Sequence, residues 1–134
     1  MIKINTDVIE DAIGRILEAI GEDRNRQGLV DTPKRVAKMY SEIFSGIGVD
    51  LDKQLQVTFD ESYEDMVIVK DIPMQSICEH HLLPFFGHAH IVYIPKNNVI
   101  TGLSKLVRLV DVACKKPQLQ ERLTKILNGQ NSTH

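Results

Sequence analysis

Four consecutive residues, Cys78-Glu79-His80-His81, form the densest cluster of metal-capable side chains in the sequence. A thiolate and an imidazole three positions apart can face one ion wherever the backbone turns. Zinc favours such sulfur and nitrogen ligands, and a catalytic zinc uses three protein ligands and keeps one position for water. The second histidine adds a side chain able to carry a proton near neutral pH. The competing reading is a buried cysteine beside two histidines that bond to backbone. His88 and His90 alternate along a strand and could form a second metal pair. Polar residues on the wet face of a half-buried strand explain them as well, and more simply. Ser104, Lys105 and Arg108 open a helix, whose N-terminal amides attract anions such as phosphate. The alternative is an N-capping serine with two solvated cations. Arg35 falls in the first turn of another helix, where a cation is disfavoured, which suggests an external anion as partner. Glu121 sits in the first turn of the last helix, where an acidic residue is at home. Cys114 reads as a buried structural thiol.

The elements that must position these groups follow from periodicity. Ile9, Ala12, Ile13, Ile16, Leu17 and Ile20 mark a helix, with Thr6 as the expected cap and Gly21 as its end. Asp31-Thr32-Pro33 opens a second, with Thr32 as N-cap and Val36, Tyr40, Ile43 and Phe44 inward. Met66 to Ile72 reads as a strand stopped by Pro73, and Phe86 to Pro95 as another, with the metal-capable cluster on the loop between them. A third helix runs through Leu106, Leu109, Val110 and Ala113. Pro117 stops it and starts a fourth, with Leu119, Leu123, Ile126 and Leu127 inward and Gly129 at its end. The order predicts an α+β fold. Its two strands make a marginal sheet with open edges, which calls for strands from a partner chain or from elsewhere.

The 134 residues suit one domain, and 43% hydrophobic with 25% charged residues is globular usage. A net charge of −2 gives no basic field for nucleic acid or an anionic membrane. No apolar run approaches a membrane span, the N-terminus has no signal-peptide pattern, and two cysteines make no disulfide scaffold. The expected setting is cytoplasmic, with reduced thiols. No internal repeat is evident.

Five ordered segments together resemble GTP cyclohydrolase I. They are Thr32 to Tyr40 (TPKRVAKMY), Cys78 to Phe85 (CEHHLLPF), Phe86 to Pro95 (FGHAHIVYIP), Thr101 to Leu106 (TGLSKL) and Pro117 to Leu123 (PQLQERL). The resemblance implies a tunnelling-fold (T-fold) subunit with N-terminal helices. Residues 1–63 would be the helical part, 64–129 a partial T-fold and 130–134 a tail. Subunits of that family join their sheets into rings, with a decamer of two stacked pentamers as the usual assembly. The implied reaction opens the GTP imidazole ring at C8 hydrolytically, releases formate, rearranges the ribose and closes to 7,8-dihydroneopterin triphosphate, which begins tetrahydrofolate and pterin synthesis.

By the same resemblance, Cys78 and His81 match two zinc ligands, and the zinc lowers the pKa of the attacking water. His80 matches the proton-transfer histidine and Ser104 the serine near the ribose. Lys105, Arg108 and Arg35 match triphosphate-binding cations. Gln120 and Glu121 match the substrate-binding pair, with the Glu121 carboxylate on the guanine amide edge. His88 and His90 fall where the family pattern is free. The resemblance also implies two further strands bearing a histidine, a third zinc-ligand cysteine and an arginine motif, and the sequence to His134 does not carry them. The alternative expectation is therefore a short non-catalytic subunit or assembly module that binds full-length partners.

Overall fold

A computed structural model describes residues 2–56, 58–60, 62–97 and 99–129. Two N-terminal helices, α1 (Thr6–Ala19) and α2 (Thr32–Ile43), pack against each other. A 3-10 turn at Asp52–Leu55 leads to strand β1 (Thr58–Asp60). The hairpin β2 (Val67–Cys78) and β3 (Pro84–Tyr93) follows, then β4 (Val99–Thr101), α3 (Leu103–Cys114), β5 (Pro117–Gln118) and α4 (Gln120–Leu127). The α+β expectation holds. Among the described residues the strands form a β1-β4 pair and a three-stranded sheet in the order β3-β2-β5.

Cap chemistry sets the helix ends, with two corrections. The N-cap of α1 is Asn5, not Thr6; its side-chain oxygen accepts from the Val8 amide at 3.2 Å. The end of α1 is as expected. Gly21 takes a left-handed φ of 87°, Gly21 N–H donates to Glu18 O, and Glu22 N–H donates to Leu17 O. In α2, Thr32 lies inside the helix and Asp31 is the N-cap, without a side-chain cap bond. Asp31 instead pairs with Arg35 at 3.4 Å, which balances the cation in that first turn.

The strand expected to stop at Pro73 continues to Cys78. Pro73 is paired opposite His88, within the ladder. What changes near it is the register. Between Val69 and Ile72 the partners shift by one residue, so that Lys70 and Asp71 together oppose His90. Asp71 takes φ 57°, and its amide donates to His90 Nδ1 at 3.1 Å. Because side chains alternate along a strand, the extra residue reverses the inward parity. Val67 and Val69 face inward before the bulge, and Ile72, Met74 and Ser76 after it. Cys78 shares the face of this second set.

The inward face of the sheet meets α3 and α4. Ile72, Val110, Ala113, Cys114 and Leu123 are buried together, with Val69, Met74, Ala89, Ile91, Ile126 and Leu127 packed around them. Each buried aliphatic side chain contributes about 1.5–3 kcal/mol. Ser76 secures the end of α3 by donating its hydroxyl to Cys114 O at 2.7 Å. The end of α2 is held close by Gly46, whose amide donates to Lys115 O and where a Cβ would lie 2.3 Å from Val112 O.

Pro117 does not start the fourth helix. Pro117 and Gln118 form β5, parallel to β2, and α4 begins at Gln120 with Leu119 as its N-cap. Proline has no amide proton, so it cannot donate to the Ala113 carbonyl four residues back. Gln118, fully buried, supplies that donor from its side chain, with Nε2 to Ala113 O at 2.8 Å. The tail expected at 130–134 lies outside the described residues.

Candidate functional site

The β2–β3 turn is tight. Cys78 N–H donates to Leu83 O and Leu82 N–H donates back to Cys78 O, each at 2.8 Å. Closing it places Leu82 at φ 54°, a conformation costly for a branched residue. The result is that Cys78 and His81 face one another, with Sγ 3.6 Å from Nδ1. Zinc–sulfur and zinc–nitrogen bonds of ordinary length at a tetrahedral angle put their two ligand atoms about 3.5–3.6 Å apart. The pair therefore fits two corners of a zinc site as it stands. Among the described residues no group of three His, Cys, Asp or Glu is placed to hold an ion. The His80 ring stands edge to face with that of His81, centroids 6.2 Å and planes 88° apart, and His80 is exposed.

Behind the turn, Glu79 N–H donates to Gln118 O at 3.2 Å, and Cys78 is paired with Gln118 in the parallel β2–β5 ladder. Glu79 receives both terminal nitrogens of the Arg122 guanidinium, Nη1 on Oε2 and Nη2 on Oε1 at 3.1 Å. That fork holds the Glu79 carboxyl below the usual carboxylate range and raises Arg122. The sequence assigns no separate role to Glu79, within the metal-capable cluster, or to Arg122. Opposite charges inside the two motifs were the available signal, but only the fold pairs them. Gln120 and Glu121 precede Arg122 in the first turn of α4 and are exposed. Gln120 also lines a cleft of about 290 Å³ between β3 and α4.

The remaining candidates lie elsewhere. Ser104, Lys105 and Arg108 belong to the N-terminal turns of α3. The N-cap there is Gly102, so Ser104 is not the capping serine that the bland reading supposed. The end of α3 that meets β2 is Cys114, joined to Ser76. Ten residues of helix put Ser104 about 15 Å away along the axis. Arg35 is exposed on α2, paired with Asp31. One chain thus brings Cys78, His80, His81, Gln120 and Glu121 to one end and leaves Ser104, Lys105 and Arg108, at the far end of α3, apart from it.

His88 and His90 are on the outward face of β3, and His90 serves the bulge. Cys114 is 3% exposed, and its thiol is pushed up to about 11, chiefly by burial. Both cysteines are free. No helix among the described residues is long and apolar enough to cross a membrane.

Comparison with known proteins bears on the same segments. The family profile described as GTP cyclohydrolase I matches residues 9–130. A protein named GTP cyclohydrolase 1 from Bacillus subtilis (strain 168) is 57% identical over 124 residues, 92% of this chain and 65% of its own length. Proteins of the same name are 59% identical in Geobacillus kaustophilus (strain HTA426), over 92% of this chain and 66% of theirs, and in Geobacillus sp. (strain WCH70), over 90% and 64%. The chain thus spans just under two thirds of the length of these relatives.

Proposed function

The chain belongs to the GTP cyclohydrolase I family, and on that premise we propose that it takes part in zinc-dependent hydrolytic opening of the GTP imidazole ring. Formate would be released and 7,8-dihydroneopterin triphosphate formed, the first step of tetrahydrofolate and pterin synthesis. The observation that carries the reading is the Cys78–His81 spacing of 3.6 Å, the ligand edge of a tetrahedral zinc. Cys78 Sγ and His81 Nδ1 would hold the metal, which when bound makes water acidic enough to act as a nucleophile near neutral pH.

The other roles belong to this chain's side chains. His80, exposed beside the metal pair, passes protons to and from the opening ring. Glu121 accepts hydrogen bonds from the guanine amide edge, with Gln120 beside it. Lys105, Arg108 and Arg35 neutralise the triphosphate, and Ser104 faces the ribose. Ser104 stands about 15 Å along α3 from the end that meets β2, so one copy's α3 completes the site of another. That arrangement agrees with a ring-shaped homo-oligomer built on the tunnelling fold. The exposed apolar residues Phe86, Val92 and Ile94 along the outward side of β3 and the chain following it are surface of the kind such rings cover. Equilibrium dialysis with zinc tests the core of the proposal. The chain should retain zinc, and Cys78→Ala and His81→Ala should each release it. Equal retention by both variants would overturn the assignment.

A further inference from the structure

Among the described residues, every other ion pair of a lysine or arginine joins residues three to six positions apart. The Glu79–Arg122 pair spans 43 positions. It joins the two segments that carry the proposed chemistry. Glu79 stands between Cys78 and His80, and Arg122 directly follows Gln120 and Glu121. The pair is two-pronged, each guanidinium nitrogen on its own carboxylate oxygen, so it fixes orientation as well as distance. Glu79 is also tethered by its backbone to Gln118 O, and its Oε1 lies 4.0 Å from His80 Nε2. Partly exposed ion pairs add little stability in general, so a fork kept here is better explained by the geometry it imposes.

We infer that Glu79 and Arg122 are positioning residues, a clamp that sets the metal-holding turn at a fixed place relative to the guanine-recognising end of α4. The inference deepens the functional reading above and rests on it. Neither residue needs to touch substrate. Arg122→Lys keeps the charge and loses the fork; Glu79→Gln keeps the shape and loses the charge. The groups that bind would still be present but misaligned, so the loss falls on kcat more than on KM.

The test measures formate release from GTP by the zinc-loaded full chain, with amide hydrogen exchange on the same samples. Each single variant is expected to lower kcat about 10–100-fold, and the double variant to fall no further than the worse single one. Arg26→Gln, which breaks a local surface pair, should leave kcat unchanged. In both single variants the Glu79 amide should exchange about tenfold faster while the Ile72 amide in the core strand is unaffected. A pair with a merely structural role would lower the melting temperature and leave kcat of the folded protein intact. Additive losses in the double variant, or an unchanged kcat, would overturn the clamp. If the wild-type chain releases no formate, the functional reading fails by itself. The clamp is then decided by exchange, and unchanged Glu79 exchange in Arg122→Lys overturns it.

Discussion

Replacing Gln118 by glutamate exchanges one amide nitrogen for an oxygen and leaves the shape alone. The side chain is 0% exposed, and its Nε2 is the donor to an Ala113 carbonyl that Pro117 cannot serve. In its ionised form the introduced carboxylate would remove that donor and set two acceptors against each other, about 1–3 kcal/mol for an orphaned buried carbonyl. A charged carboxylate there costs more, so the introduced carboxyl keeps its proton in the fold, and its pKa is raised. Stability then depends on pH with a definite sign. Below about pH 4.3 the carboxyl is neutral in both states, and its O–H can donate to Ala113 O. As pH rises, the unfolded chain ionises and the folded one does not. The deficit grows by about 1.4 kcal/mol per unit, roughly 3–4 kcal/mol by pH 7, and levels off above the folded-state pKa. Urea unfolding followed by circular dichroism, wild type beside variant near pH 4.3 and at pH 7, measures the widening directly. Gln118→Leu is the control. It removes the Nε2 donor together with Oε1, the buried oxygen left without a partner, so the two effects oppose and the net change stays within about 1 kcal/mol. A Gln118→Glu deficit that does not change with pH would refute the assignment of Gln118 as the donor that ends α3.

Three further outcomes are expected. Asp71→Val places a β-branched residue at φ 57° and should cost about 1–2 kcal/mol in unfolding experiments, whereas Asp71→Gly should be tolerated. Burial of Cys114 raises its thiol from 9.0 to about 11, so the neutral thiol favours the fold; stability should fall as pH rises from about 9 to about 11, and Cys114→Ala should remove that part of the alkaline slope. Arg35→Ala should leave the melting temperature nearly unchanged, since its pair with Asp31 is exposed, yet raise KM for GTP about tenfold or more if Arg35 meets the triphosphate.

The four helices were legible because each carries a full apolar stripe. Pro117 correctly marked the end of α3. The caps were less so, since Asn5 competes with Thr6 and Asp31 with Thr32, and side-chain geometry chooses between adjacent polar residues. The break placed at Pro73 was wrong because the ladder accommodates a proline there. The bulge two residues earlier was invisible, since Asp71 supplies a left-handed turn without glycine and takes its partner from His90, 19 positions on. That bulge puts Cys78 on the inward-facing set of β2, so sequence located the metal pair without showing what aims it. The fork between Glu79 and Arg122 was hidden for the same reason, being a contact made by tertiary structure alone.

Formate release from GTP by the zinc-loaded chain, measured beside Cys78→Ala, tests the central claim most directly. Release by the wild type that is abolished in Cys78→Ala is the predicted result. Absence of release from both, with zinc bound and the fold intact, would contradict the claim that this chain performs the hydrolysis. Equal release from both would contradict the place of Cys78 in it.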